Sequence, residues 1–157
     1  MKKATFAMGC FWQPDVVFSK FPGVLKTTVG YMGGDEKKFP NPTYEQVCTN
    51  KTGYAEVIQI EFDEKKISNS GLLKIFWNNH NPTTLNRQGP DVGSQYRSAI
   101  FYHDGKQKDE AEKSKKEIQK NFSKPIVTEI TKAGKFFPAE DYHQKYLEKR
   151  GVESCHI

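Results

Sequence analysis

Hydrophobic positions along the chain alternate between two periods, and each switch marks a change of element. Residues 4–8, Ala-Thr-Phe-Ala-Met, are an apolar run of the length of a short buried strand. Gly9 then permits a sharp turn, and Pro14 suits the first turn of a helix, which the pattern predicts from about residue 13 to 21, closed before Pro22-Gly23. Residues 24–31 mix β-branched and aromatic side chains and read as a strand ending at Gly33-Gly34. After a polar loop over 35–42, Thr43 and Gln46 have the spacing of a capping box, which predicts a short helix over 43–48. Cys48 follows Val47 on that helix, so core packing is its expected role.

Residues 54–62 carry the most informative strand pattern. At period two, Tyr54, Glu56, Ile58, Ile60 and Phe62 share one face, and Gln59 and Glu61 share the other. Glu56 is therefore a carboxylate on an apolar face. Burial there would disfavour its charged form and leave an acid able to donate a proton near neutrality. A strand-end glutamate turned to solvent fits the same pattern equally well.

Further on, Asn69 or Ser70 can cap a helix whose stripe is Leu72, Leu73, Phe76 and Trp77, ending by Asn81-Pro82. Residues 83–95 form a long polar loop, the kind of segment that carries function when a scaffold holds it. A strand over 97–102 turns at Asp104-Gly105 into a lysine-rich helix, and another strand follows at 126–131. Pro138 is expected to open a helix over 139–150, with Gly151 as its stop. This alternation fits an α/β fold, a ferredoxin-like two-layer sandwich with a mixed sheet, additional helices and a loop-rich C-terminal tail.

Composition narrows the class. At 157 residues the chain fits one domain, residues 1–157, with 150–157 as a mobile tail. Its formal net charge is +5, and much of its lysine lies in 106–124, interleaved with Glu110, Glu112 and Glu117 as on a solvated helix face. No nucleic-acid-binding motif accompanies that charge, so no nucleic-acid partner is expected. The N-terminal Lys2-Lys3 and apolar run resemble a lipoprotein leader, but the run is too short, and no stretch approaches a membrane span. Cysteines at 10, 48 and 155 make no CxxC pair and no even framework, which suits a reducing, cytoplasmic setting.

The candidate chemistry centres on Cys10. It stands where a strand hands over to a helix, so backbone N–H groups and the helix dipole can favour a thiolate, and Phe11 and Trp12 offer an apolar surface beside the sulfur. A buried cysteine acting as a small hydrophobe is the simpler alternative. Histidines at 80, 103, 143 and 156 have no metal-ligand spacing, and no metal or cofactor is expected. Two enzyme classes remain: a Cys-His acyl-transfer enzyme, with His143 as its base, and a thiol redox enzyme. The redox enzyme needs a low-pKa cysteine, an acid, and a second cysteine to resolve a sulfenic acid, a task open to Cys155 in the tail. A basic binding module with an inert Cys10 is the third reading.

Five blocks decide among these. Gly9-Cys10-Phe11-Trp12, Pro42-Thr43-Tyr44-Glu45-Gln46-Val47-Cys48, Gly53-Tyr54-Ala55-Glu56-Val57, the run from Gly89 through Asp91 and Tyr96 to Ser98, and the run from Phe137 through His143 to Tyr146 resemble, in order, peptide methionine sulfoxide reductase A. The resemblance implies a thioredoxin-dependent oxidoreductase that reduces methionine S-sulfoxide, free or in proteins, and so repairs oxidised proteins. It implies that Cys10 attacks the sulfoxide sulfur, that Glu56 is the acid at the sulfoxide oxygen, and that Tyr44 and Tyr96 donate hydrogen bonds to that oxygen. Asp91 would organise the site, Phe11 and Trp12 would hold the S-methyl group, and His143 would join the substrate-binding residues. A Cys10–Cys155 disulfide, reduced by thioredoxin or dithiothreitol, would close the cycle in a monomer. Two departures stand out: Gln13-Pro14-Asp15 follows the first block where many relatives have a small residue and then Glu, and one tail cysteine stands where many have two.

Overall fold

The first apolar run becomes β1 (Lys2–Met8), and the two strands with alternating patterns become β2 (Val24–Met32) and β3 (Ala55–Phe62). The computed structural model describes residues 2–140 and 143–144. In it, β1 pairs antiparallel with β3, Ala4 opposite Ile60 and Phe6 opposite Ile58. On its other side β2 pairs antiparallel with β3, with Val29 opposite Ile58 and Tyr31 opposite Glu56. The loop over 83–95 contains a small hairpin, β4 (Arg87–Gln88) with β5 (Asp91–Val92), and a 3₁₀ turn at Ser94–Tyr96. Then β6 (Ser98–Tyr102) returns to lie antiparallel to β1, and β7 (Glu129–Lys132) runs parallel to β6 at the edge.

The central order β6-β1-β3-β2, with helices α1 (Trp12–Ser19) between β1 and β2 and α3 (Asn69–Asn78) between β3 and β6, is the ferredoxin-like arrangement that the alternation predicts. The short α2 (Tyr44–Cys48) and the lysine-rich α4 (Gly105–Gln119) are additions to it. The capping box forms as expected, with Thr43 Oγ1 accepting from Gln46 N–H and Gln46 returning the bond to Thr43 N–H.

Three expectations fail at element ends. The cap of α3 is Ser68, whose hydroxyl accepts from Gly71 N–H, one residue before the Asn69 and Ser70 alternatives. The strand expected at 126–131 pairs over Glu129–Lys132 instead, while Ile126 N–H is taken by the Gln119 side chain. Pro138 opens no helix. It lies in β8 (Phe137–Pro138), paired antiparallel with Gly30 and Tyr31 on the outer edge of β2. An edge strand tolerates a residue with no N–H to donate. The Gln144 amide continues this pairing, donating to Val29 O and accepting from Val29 N–H, both at 2.9 Å. Of the helix expected over 139–150, residues 141–142 and 145–150 lie outside the described residues.

The core sits between the sheet and α1 and α3. Phe6, 1% exposed, stacks on Phe18 of α1 at 5.7 Å and meets Phe76 of α3 at 5.1 Å, joining both helices to the sheet. Phe6→Ala removes the ring that both helices share, so it should cost about 3–5 kcal/mol of stability. Urea unfolding with unchanged slope would measure it; a loss under about 1 kcal/mol would mean that α1 and α3 close over the gap.

Candidate active site

The topology brings one set of strand ends together. β1 and β2 finish at the end of the sheet where β3 and β6 begin, because both are antiparallel to their neighbours. Cys10 leaves the end of β1, Glu56 is the second residue of β3, Tyr31 is the last but one of β2, and Tyr96 stands just before β6. Gly9, with φ of 96°, makes the turn from β1 into α1 in a conformation that a side chain would strain. Cys10 is thereby placed at the mouth of α1 and is 8% exposed.

Glu56 is buried, 1% exposed, so the strand alternation is decided in favour of the apolar face. Its Oε1 accepts from Phe11 N–H at 3.2 Å. Phe11 is the capping residue of α1 and has no side-chain cap of its own, so Glu56 satisfies one of the open donors at that helix end. The thiol and the carboxyl are thus anchored to adjacent residues of one turn.

Tyr44 begins α2, with its backbone N–H donating to Glu140 Oε2, while Glu140 Oε1 accepts from the Tyr31 hydroxyl, both at 3.3 Å. Burial, reinforced by Glu56 and then Tyr96, pushes the Tyr44 phenol well above the ordinary tyrosine range. The Tyr96 phenol is pushed up in the same way, first by burial and then by Glu56, Cys48, Asp91 and Cys10. Both hydroxyls therefore keep their protons and remain hydrogen-bond donors at any physiological pH. Three of the groups that act on Tyr96, Glu56, Asp91 and Cys10, are sequence candidates, and Cys48 is not.

Phe11 is fully buried and Trp12 half-buried, and together with Tyr44 they surround His143. The His143 ring lies 4.5 Å from Tyr44, 5.2 Å from Phe11 and 5.7 Å from Trp12. Its Nδ1 accepts from the Trp12 indole N–H at 3.0 Å, which places the imidazole proton on Nε2. His143 thus supports the indole wall.

Two residues differ from expectation or escaped it. Cys48 is half-buried and hydrogen-bonded to Tyr44, facing the site rather than the core; burial, with Glu56 and Glu140 adding, keeps it a thiol by pushing its pKa up. Glu140 had no assigned role, although its place between Ala139 and His143 in the last block put it within reach of the site. Asp91 is half-buried on β5, and Cys155 lies outside the described residues. Among the described residues, no group of three or more His, Cys, Asp or Glu could hold a metal ion, and no helix is long and apolar enough to cross a membrane.

The arrangement suits an electrophile with one polar oxygen and apolar substituents: a thiol to attack, a carboxyl and two protonated phenols to receive the oxygen, and aromatic walls for the rest. Comparison with known proteins agrees with this geometry. The family model for peptide methionine sulfoxide reductase matches residues 2–157. Peptide methionine sulfoxide reductase MsrA of Methanosarcina acetivorans is 55% identical over 153 residues, 96% of this chain and 80% of the relative. Among solved structures, reduced Mxr1 from Saccharomyces cerevisiae superposes with a TM-score of 0.93 at 38% identity, covering 99% of this chain and 88% of that one. Mxr1 in complex with Trx2 gives 0.64 at 26% identity, covering 92% and 84%.

The His143 environment predicts a pH dependence. Burial holds its imidazole below the ordinary range, against a smaller opposing pull from Glu140. On unfolding it regains a value of about 6.5, so below that pH the unfolded chain binds a proton that the folded chain refuses. Its contribution is therefore complete above about pH 6.5 and is lost as the pH falls. Asn at this position keeps an acceptor but does not titrate. The urea midpoint should drop less for His143→Asn than for the parent between about pH 7.5 and 5.5, and equal drops would remove His143 from the effect.

Proposed function

The chain belongs to the peptide methionine sulfoxide reductase family, and on that premise we propose that it reduces methionine sulfoxide to methionine through its own thiols, with thioredoxin restoring them. The observation that carries this reading is the bond from Phe11 N–H to the buried Glu56 carboxyl, which holds an acid at the residue next to Cys10 and beside the aromatic wall of Phe11 and Trp12. The Cys10 thiolate attacks the sulfoxide sulfur while the S-methyl group rests on Phe11 and Trp12. Negative charge grows on the sulfoxide oxygen, where Tyr44 and Tyr96 donate hydrogen bonds and Glu56 gives its proton. Asp91 holds the Tyr96 side of the site.

The sulfur–oxygen bond of the substrate breaks, methionine leaves with the electron pair, and the oxygen passes to Cys10 as a sulfenic acid. The Cys155 thiol then displaces that oxygen as water and forms a Cys10–Cys155 disulfide. A dithiol reductant returns both cysteines to thiols, and the solved complex of the relative Mxr1 with Trx2 supports thioredoxin in that place. The reading includes selectivity for the S epimer, no cofactor, a monomer of one domain, and a cytoplasmic setting where thioredoxin keeps thiols reduced.

Glu56→Gln tests the acid. Glutamine can still accept from Phe11 N–H, so the fold is retained, but it has no proton to release. Turnover should fall by about 10²–10⁴-fold with KM little changed, and a loss of only a few-fold would assign oxygen protonation elsewhere.

Counting the methionine released tests the thiols. With thioredoxin the parent should cycle, Cys155→Ser should release about one methionine per enzyme and stop, and Cys10→Ser should release none, even in excess dithiothreitol. Peptide mapping after one equivalent of sulfoxide should join Cys10 to Cys155. A Cys10–Cys48 link, with Cys155→Ser still cycling, would transfer the resolving role to Cys48.

A further inference from the structure

Glu140 joins two separate segments with one carboxylate. Its Oε1 accepts from the Tyr31 hydroxyl and its Oε2 from the Tyr44 backbone N–H, both at 3.3 Å. The chain then turns, and His143 N–H donates to Glu140 O at 2.9 Å. That turn sets the His143 ring 4.5 Å from the Tyr44 ring. The side chain of Glu140 thus holds the backbone of Tyr44, while its main chain backs the phenol with an imidazole.

Helix α2 needs such a hold. It has five residues, too few for a helix to keep its place without tertiary tethers. Its capping box engages the N–H groups of Thr43 and Gln46, and leaves that of Tyr44 to another acceptor. Glu140 is that acceptor. The carboxylate is in turn tied to the sheet. Tyr31 is fully buried and lies directly opposite Glu56 in the β2–β3 register, on the same face. The chain beside Glu140 is fastened to β2 as well, because Ala139 N–H donates to Val29 O at 2.9 Å. A continuous frame therefore runs from the strand pair that carries Glu56, through Tyr31 and Glu140, to the helix that carries Tyr44.

We propose that Glu140 is a positioning residue, which sets the Tyr44 hydroxyl relative to Glu56 so that both meet one sulfoxide oxygen. The inference rests on the reductase reading above. A donor aimed at an oxygen that gains charge has to be in place before the charge grows. A short helix free to shift by about 1 Å would lose that aim, and the loss would fall on the rate more than on binding. Glu140 acts through Tyr44 and leaves the proton transfer to Glu56.

The experiment follows methionine release from a blocked methionine sulfoxide in the first turnover of the reduced full chain, so that recycling does not enter. Glu140→Ala removes both acceptors. Its rate at saturating sulfoxide should fall about tenfold, with the half-saturating concentration changed by less than about twofold. Glu140→Gln should recover the rate to within about threefold, since its amide accepts from Tyr44 N–H and donates to the Tyr31 hydroxyl. A double-mutant cycle then separates positioning from general support. In Tyr44→Phe, with no hydroxyl left to aim, Glu140→Ala should cost less than about twofold; in Tyr96→Phe it should still cost about tenfold. An equal loss in all three backgrounds would overturn the proposal. So would an Ala variant as fast as the parent, a Gln variant as slow as Ala, or a loss confined to cycling with thioredoxin. If Glu140→Ala does not fold, Tyr31→Phe removes one tether of the carboxylate and enters the same cycle, with an expected loss of about threefold. No loss there overturns the proposal too. A parent that releases no methionine would instead overturn the reductase reading.

Discussion

One hydrogen bond joins the two halves of the site: Phe11 N–H to Glu56 Oε1. A carboxyl at 1% exposure needs a partner, and a helix start with no side-chain cap leaves donors open. Each need answers the other, although the residues lie 45 positions apart. The bond fixes the entry of α1 against the start of β3, and with it where the chain carries Cys10 relative to the Glu56 carboxyl. Losing the acceptor would free the first turn of α1 as well as remove an acid.

The rest of the site follows from the direction of the strands. In a ferredoxin-like sheet the first and second strands end where the third and fourth begin, so four chain segments open at the same end. Helix α2, the hairpin and the 3₁₀ turn are additions at that end, and they bring Tyr44, Asp91 and Tyr96 to it. The aromatic residues form a second layer around His143, which accepts from Trp12 and is packed by Phe11 and Tyr44. A Cys-His acyl-transfer enzyme would need that Nδ1 or its ring partner directed to the thiol. The observed bond commits Nδ1 to the indole, and the family match stands against that class.

What could be read in the sequence was what local physics decides. The Thr43 and Gln46 spacing gave α2 with its reciprocal cap, set within a few residues, whereas the β3 alternation put Glu56 on the apolar face and left its burial open until the fold decided it. Pro138 was misread because a proline suits a helix start and a sheet edge equally, and only the distant Gly30 and Tyr31 decide between them. Cys48 was misread for a similar reason. It follows the buried Val47 in sequence, but the turn of α2 carries it round to Tyr44. The cap of α3 was missed by one residue because Ser68, Asn69 and Ser70 can all serve, and only the bond to Gly71 selects among them. The roles proposed for the site residues rest on the five blocks taken together.

The outer edge of β2 has a consequence of its own. An uncovered strand edge offers free N–H and C=O groups to any extended chain that meets it. Here Pro138 covers Gly30 without offering a new donor, and the Gln144 amide occupies both backbone groups of Val29 as a strand one residue long would. The opposite edge ends in four-residue β7, with Glu129 and Lys132 exposed on it. A bare edge would invite a second extended chain to add itself as a further strand. Among the described residues, one edge is thus capped by a proline and a side-chain amide and the other is short and charged, so both are poor templates for an extended chain.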